Sequence, residues 1–416
     1  YYYYSSGVTV DEFMYDKEDT LVIFAAGNDG DELGDLSILN PGVSKNALTV
    51  GAAVTSTTPT TVAHFSARGP TYDFRLKPDV CGPGNSLYSA KASGSYGLAS
   101  CAVVAKSGTS MATPAVAGAA ALVRQFLVEG RHEVFSSTAF SQSSYNVSNP
   151  SAALLKAILI GSTAPLSYGY DSTKTKVTLA DFYSGSSAVA DSAAYYLGTT
   201  GVDFTQGFGH VRLSNVFSLD GSFNTFLYED LISEYSTWAV DFTVTSTGTE
   251  VDVTLAWTDP PASTYCDLYY SKTGSGCLVH DLDLQVSLNG QRVFANFGAA
   301  SVGTYAGLED TTNNVEKVTI STAAFSAGDS VHIVVASNGL SYADTQKFAL
   351  VATGSILQIV PSPEPSSPTP VPTLSPSFAP TRTYSPTKSP TLQPTPRPTN
   401  TAKPTSPTPV PVLAPT

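Results

Sequence analysis

The sequence predicts an α/β domain with a parallel sheet, then an antiparallel β-sandwich of jelly-roll type, then a disordered tail. Three observations support this. Through residue 217, continuous apolar runs of strand length alternate with helix-like segments, the pattern of a parallel sheet covered by helices. From 218 to 358, apolar and polar residues alternate with period two and no helix of useful length is visible, as expected of strands with one face on a core. From 359 to 416, Pro, Ser and Thr dominate ("SPTPVPTLSPSFAPTRTYSPTKSP"). Such a segment cannot bury a core and is expected to stay extended and disordered. The predicted domains are therefore 1–217, 218–358 and 359–416.

The elements follow in order. "VDEFMYDKEDT" reads as a short helix, while "LVIFAAGN" and "ALTVGAAV" read as buried strands. "MATPAVAGAAALVRQFL" is too long and too Ala-rich for a strand and reads as a buried helix. "SAALLKAILIGSTA" is another helix, with Ser151 as N-cap and Gly161 near its end. Beyond 218, "STWAVDFTVTSTGTEVDVTLAWTDPP", "LVHDLDLQVSLNGQRVFAN", "VEKVTISTAA" and "DSVHIVVAS" read as strands, with Asn289-Gly290 as a hairpin turn.

Composition narrows the partners. Charged residues make up 13% of the 416 residues and the formal net charge is −13, so no basic surface exists to neutralise nucleic-acid phosphates or an anionic membrane. No run of eighteen apolar residues predicts a transmembrane helix. The four cysteines, Cys81, Cys101, Cys266 and Cys277, form two close pairs without metal-ligand spacing. They allow three connectivities. Separately folding domains favour Cys81–Cys101 and Cys266–Cys277 over free buried thiols, which implies an oxidising, extracellular compartment.

The chemistry centres on "GTSMATP", residues 108–114. Ser110 stands before the Ala-rich helix, where backbone N–H groups lack intrahelical partners and the helix dipole is positive. The Ser110 N–H can donate to an oxygen that gains charge as a carbonyl becomes tetrahedral. Gly108 and Thr109 keep the approach open to a peptide, and Pro114 is expected in the first turn, where it costs no hydrogen bond. A plain Ser N-cap is the simpler alternative. Asn28, in "AAGNDG", reads as a turn residue or as a second oxyanion donor.

Together with "AAGNDG", "HFSARGP", "KPDVCGPG" and "QGFGHVRLSNVF", the heptapeptide resembles the subtilisin-like serine proteases, the subtilases, over roughly residues 1–217. The resemblance implies Ser110 as nucleophile and Asn28 as oxyanion donor. It also implies Ala25, Ala26 and Gly27 as a wall of the substrate pocket, with Asn40, Pro41 and Gly42 nearby and Gly108 and Thr109 lining the approach. Met111, beside the nucleophile, is expected to lower activity when oxidised to the sulfoxide. No cofactor is needed for this chemistry.

The partners of Ser110 are missing. His64, His132, His210, His280 and His332 all fall in segments better read as structural or surface positions. Subtilases carry their Asp and His upstream, in "DTG"-like and "HGT"-like segments, and neither occurs here. With a start at "YYYYSSGVTV", lacking an initiator Met and a signal peptide, the expectation is an N-terminally truncated subtilase, nearly inert towards peptides by itself.

The second domain resembles the C-terminal β-domains of proprotein-convertase-like and bacterial alkaline subtilases, through "TLAWTDPP", "LVHDLDLQV" and "TNNVEKVTI". Asp281 and Asp283, two apart in a strand, share a face. With Asp259 they could offer oxygen ligands to a structural Ca²⁺, a solvated acidic face being the alternative. The tail suggests an O-glycosylated stalk or cell-wall tether, or a passive linker, and Asn146 lies in a glycosylation sequon. The expected whole is an extracellular serine endopeptidase acting on protein or peptide substrates. The alternatives are a non-catalytic cell-wall β-sandwich protein with a relic protease domain and an exopeptidase of the same fold.

Overall fold

A computed structural model describes residues 5–57, 59–92, 94, 101–129, 149–170, 175–179, 203–218, 221–262, 266, 277–296 and 309–358. The expected tail, the sequon at Asn146 and His132 lie outside the described residues. Those described all fall within one compact unit, Tyr1–Pro361.

Helix α1 (Ser5–Asp16) leads into β1 (Ile23–Ala25), the short α2 (Gly30–Leu33), β2 (Leu48–Val54) and β3 (Val80–Asn85). The three strands pair in parallel, with Ile23 opposite Leu48 and Val50 opposite Val80. β2 is buried at every position but its last, which explains its unbroken apolar sequence. A ribbon of β4 (Leu87–Ala90) and β5 (Val103–Lys106) leads from β3 to α3 (Thr109–Val128). Thr109, Ala112, Val116, Ala120, Val123 and Leu127 of α3 are buried. Their three-to-four-residue spacing makes one stripe, and α3 packs with it across β1, β2 and β3. By length and composition alone α3 could span a bilayer, with mean hydropathy 1.4, a property the search for a plain apolar run misses.

Helix α4 (Ala152–Gly161) begins as expected, with the Leu154 N–H donating to Ser151 Oγ at 3.0 Å. All of its residues are buried. Strands β6 (Thr163–Ala164) and β9 (His210–Val211) complete a sheet of order β1-β2-β3-β9-β6, beside a separate ribbon of β7 (Tyr168–Tyr170) and β8 (Lys176–Thr178).

The remaining strands are antiparallel. They are β10 (Asn224–Ser233), β11 (Thr237–Val244), β12 (Val251–Trp257), β13 (His280–Leu288), β14 (Gln291–Phe294), β15 (Val315–Ile320), β16 (Ser330–Leu340), β17 (Thr345–Gly354) and β18 (Ile356–Gln358). They form two sheets, β10-β17-β12-β15 and β14-β13-β16-β11-β18, which share one core that includes Phe242, Val253, Leu284, Ile333 and Leu350. Asn289 and Gly290 have φ of 49° and 80°, as the tight turn between β13 and β14 requires.

Strand β17 shows how the two halves meet. Phe348, Leu350 and Ala352 join the core between the sheets, whereas Ala349 and Val351 join the core that contains α4 and residues of β2 and β3. Leu227, Ala256 and Val315 do the same. Each fully buried Leu or Ile of α4 contributes roughly 1.5–3 kcal/mol, so α4 is a shared wall between the halves.

Cys266 and Cys277 form a disulfide, while Cys81 and Cys101 are free thiols. The expected Cys81–Cys101 bond fails because β3 holds Cys81 inside the sheet, between β2 and β9, with Sγ facing the Gln206 carbonyl at 3.8 Å. Cys101 lies exposed just before β5, where the ribbon carries the chain away from the sheet.

Candidate active site

The strands β1 and β3 and the N-terminus of α3 converge at the carboxyl ends of the parallel sheet, where α/β proteins place their ligands. Asn28 follows β1, and Gly108 is tied to the end of β3 by its N–H, which donates to the Gly84 carbonyl at 2.8 Å. A Cβ on Gly84 would lie 2.7 Å from Ala52 Cβ and 2.9 Å from the Gly108 carbonyl oxygen, so only glycine lets helix and strand approach this closely. Gly108 itself has φ +151°, in the region that favours glycine.

Two hydrogen bonds latch the helix start to the loop after β1. The Thr109 N–H donates to Asn28 Oδ1 at 2.8 Å, and the Thr109 hydroxyl lies 3.0 Å from the same oxygen. The Gly27 N–H lies 3.2 Å from Thr109 Oγ1. Both ends of the Asn28 amide lie close to Gly108, Nδ2 at 3.5 Å and Oδ1 at 3.6 Å from where a Gly108 Cβ would stand. Among the described residues no acceptor takes Asn28 Nδ2 or the Ser110 N–H. Ser110 and Asn28 are exposed while Thr109 is fully buried. Asn28 and Ser110 thus both stand exposed at the start of α3, with Thr109 holding Asn28 in place. Met111 Sδ also lies 3.5 Å from the Gly108 Cβ position.

The segment "HFSARGP" braces this loop from behind. The Gly30 N–H donates to the Phe65 carbonyl and the Ala67 N–H to the Gly27 carbonyl, both at 3.0 Å. On the other side, the Leu39 N–H donates to the Ala26 carbonyl at 2.9 Å and Thr49 Oγ1 to the Gly42 carbonyl at 2.6 Å. Pro41 and Gly42 therefore sit in the chain that flanks β1. Of the expected wall, Ala25 is half-buried and Gly27 buried, and Ala26 is 0% exposed and packs on Ile38, Val43 and Ala67. Leu39 lies against Gly27 instead, 2.7 Å from where its Cβ would be. Sequence reading missed Leu39, because only the fold shows which apolar side chain covers the glycine.

Pro114 also differs from expectation. α3 starts at Thr109, so Pro114 lies in the second turn, where its missing N–H leaves the Ser110 carbonyl without an i+4 donor.

No described histidine serves Ser110. His64 Nδ1 lies 3.2 Å from Asp31 Oδ2, His280 Nδ1 2.7 Å from Gln346 Oε1, and His332 Nδ1 2.7 Å from Asp241 Oδ1. His210, in β9, is partly buried, and that burial lowers its pKa.

The expected cation set does not hold together. Asp259 is fully buried and bonded to Lys45 Nζ, while it accepts the N–H groups of Val279 at 3.0 Å and His280 at 2.8 Å. Asp281 and Asp283 lie elsewhere, near Glu309, Asp310 and Glu316. Asp281 Oδ1, Asp283 Oδ1 and Glu316 Oε1 are buried without partners. Burial, reinforced by the neighbouring carboxylates, pushes Asp281 up to about 6, Asp283 up to about 7 and Glu316 well above the carboxylate range. As they stand, no three His, Cys, Asp or Glu side chains among the described residues converge as a metal site.

Fold and site together define a class: an α/β protein presenting a serine at a helix N-terminus beside a side-chain amide. The sequence model of the subtilase family matches residues 3–209, and over those residues the chain belongs to the subtilase family of serine proteases. It is 28% identical over 299 residues to the serine protease/ABC transporter B family protein tagD of Dictyostelium discoideum, covering 62% of this chain and 15% of that one. It is 40% identical over 116 residues to the serine protease AprX of Bacillus subtilis, covering 25% of this chain and 26% of AprX. Pyrolysin of Pyrococcus furiosus is 34% identical over 140 residues, which is 28% of this chain and 9% of pyrolysin. The chain thus spans about a quarter or less of the length of each of these three relatives.

Proposed function

We propose that this chain is the nucleophile-bearing part of a secreted serine endopeptidase. Ser110 Oγ attacks the peptide carbonyl, and Asn28 Nδ2 and the Ser110 N–H hold the resulting oxyanion. A His from outside this chain takes the Ser110 proton and passes it to the leaving amine, while an Asp, also from outside, orients that His and stabilises its protonated form. Water then releases the acyl group from Ser110. One observation carries the reading: Thr109, the residue before Ser110, engages Asn28 Oδ1, which ties Asn28 to the start of α3 and supports Nδ2 as the donor. The Cys266–Cys277 disulfide supports an oxidising, extracellular setting.

By itself the chain is expected to be nearly inert, since none of its described histidines serves Ser110. The test joins it to a polypeptide that supplies the His and Asp and follows cleavage of a fluorogenic peptide. Ser110→Ala is expected to abolish turnover. Cleavage at an unchanged rate in that variant sinks the reading.

The two antiparallel sheets are read as a jelly-roll-like β-sandwich with a structural cation. Asp281 and Asp283 remain the candidate oxygen ligands for Ca²⁺, each with a buried unpartnered Oδ1 that supports the choice, and bound Ca²⁺ would neutralise their charge. Asp259 is not part of this set. A melting temperature unmoved by added Ca²⁺ and by chelator at pH 8 rules the cation out.

A further inference from the structure

The second half of the chain reaches the back of the oxyanion loop through its disulfide. Cys277 is 0% exposed and packs with Ala26, Ile38, Val43 and Ala67, and Cys266 and Ala262 border the same cluster. Three of these neighbours belong to, or connect to, the loop that carries Asn28. Ala26 precedes Gly27 and Asn28. Ala67 donates its N–H to the Gly27 carbonyl at 3.0 Å. Ile38 precedes Leu39, whose N–H donates to the Ala26 carbonyl and whose side chain lies on Gly27.

The backbone of Cys277 is clamped from the first half on both sides. Its N–H donates to Asp73 Oδ2 at 3.2 Å, and its carbonyl accepts from Lys45 Nζ at 2.8 Å. Asp73 is held in turn by Arg75 Nε and Thr71 Oγ1, each at 2.6 Å. Lys45 is fully buried and also bonds Asp259 and the Pro260 carbonyl. These contacts seat Cys277, and the disulfide keeps Cys266 against the same cluster.

We propose that the Cys266–Cys277 disulfide and Lys45 position the oxyanion loop, fixing Gly27 and Asn28 from behind. The proposal rests on the reading of Asn28 as an oxyanion donor. A displacement of about 1 Å of such a group can cost up to ~10²-fold in rate, while substrate binding along the cleft is touched less. The bridge is opened by a small dithiol, which passes two electrons to the disulfide and becomes a cyclic disulfide as Cys266 and Cys277 become thiols.

The test compares oxidised chain, dithiol-treated chain and Cys266→Ala, which removes the bridge but keeps Cys277 in its packing. Hydrogen exchange is read at the Ala67 and Leu39 amides, which bond the oxyanion loop, and across β12 and β17 as a control. Exchange is expected to quicken at Ala67 and Leu39 and to stay unchanged in β12 and β17. In the complemented enzyme, turnover is expected to fall about ten- to hundredfold with KM moving less than threefold. Unchanged exchange at Ala67 and Leu39 overturns the proposal. Equally quickened exchange throughout β12 and β17 also overturns it, because the bridge would then only stabilise the fold. Peptide cleavage that survives Ser110→Ala overturns the functional reading alone, since the exchange arm needs no catalysis.

Discussion

At the scale of single residues, Gly108 carries two constraints at once. Its φ of +151° disfavours a side chain, and a Cβ there would stand 3.5 Å from both Asn28 Nδ2 and Met111 Sδ. On the proposed reading, a methyl group at that point enters the opening where Asn28 would hold the oxyanion. Gly108→Ala is therefore expected to lower turnover of the complemented enzyme by about 10²–10³-fold, the size of a lost oxyanion donor. Single-turnover kinetics check this, and a loss confined to KM contradicts it. The neighbouring Met111 Sδ borders the same opening, so a sulfoxide oxygen there adds bulk and polarity. Peroxide is expected to reduce activity in step with Met111 oxidation as read by peptide mass. Full activity with Met111 oxidised refutes this. Ser110 was legible as a candidate nucleophile from its heptapeptide, whereas the latch on Asn28 was not, because it joins residues eighty-one positions apart.

At the scale of elements, helix α4 shows what local sequence does specify. Its N-cap was legible as Ser151, and the Leu154 N–H indeed donates to Ser151 Oγ at 3.0 Å. Ser151 Oγ also bonds Glu229 of β10, so the cap ties the helix to the antiparallel sheet. Ser151→Ala is expected to cost about 1 kcal/mol from the cap, plus the desolvation of Glu229. Urea unfolding measures it, and a midpoint shift no greater than that of a surface Ser→Ala control contradicts it. The alternation of β11 and β13 and the Asn289-Gly290 turn were legible for the same local reason. β17 carries no such signal, because Ala349 and Val351 face α4 while Leu350 and Ala352 face the opposite sheet. Two apolar faces erase a period-two pattern. Pro114 was misplaced within α3 because its helix begins two residues before the apolar run that signals it.

At the scale of the whole molecule, charges buried far from the cleft set a pH dependence that no local pattern could predict. Lys77 and Lys156 are both buried around the single carboxylate of Asp79, with Lys77 Nζ 2.6 Å from Oδ2 and Lys156 Nζ 3.4 Å from Oδ1. Lys77 also donates to the Ala47 carbonyl at 2.9 Å and Lys156 to the Lys45 carbonyl at 2.8 Å. Asp79, joined by Asp11 on the Lys156 side, favours the ammonium forms, but burial outweighs them and favours release of a proton. Burial lowers Lys77 to about 7, helped by Lys156 and opposed by Asp79, and burial lowers Lys156 as well. In the unfolded chain a lysine titrates near ~10.4. Between those values the unfolded chain binds more protons than the folded one. Stability from this group therefore rises with pH from about 7 towards 10, with a slope of up to ~1.4 kcal/mol per pH unit for one proton. Lys77→Met keeps the volume and removes the titration. The variant is expected to show a flatter stability profile from pH 7 to 10 than the parent, measured by urea unfolding in the same buffers. Parallel profiles for the two proteins refute the assignment, and a profile that falls with pH only in the parent reverses its sign.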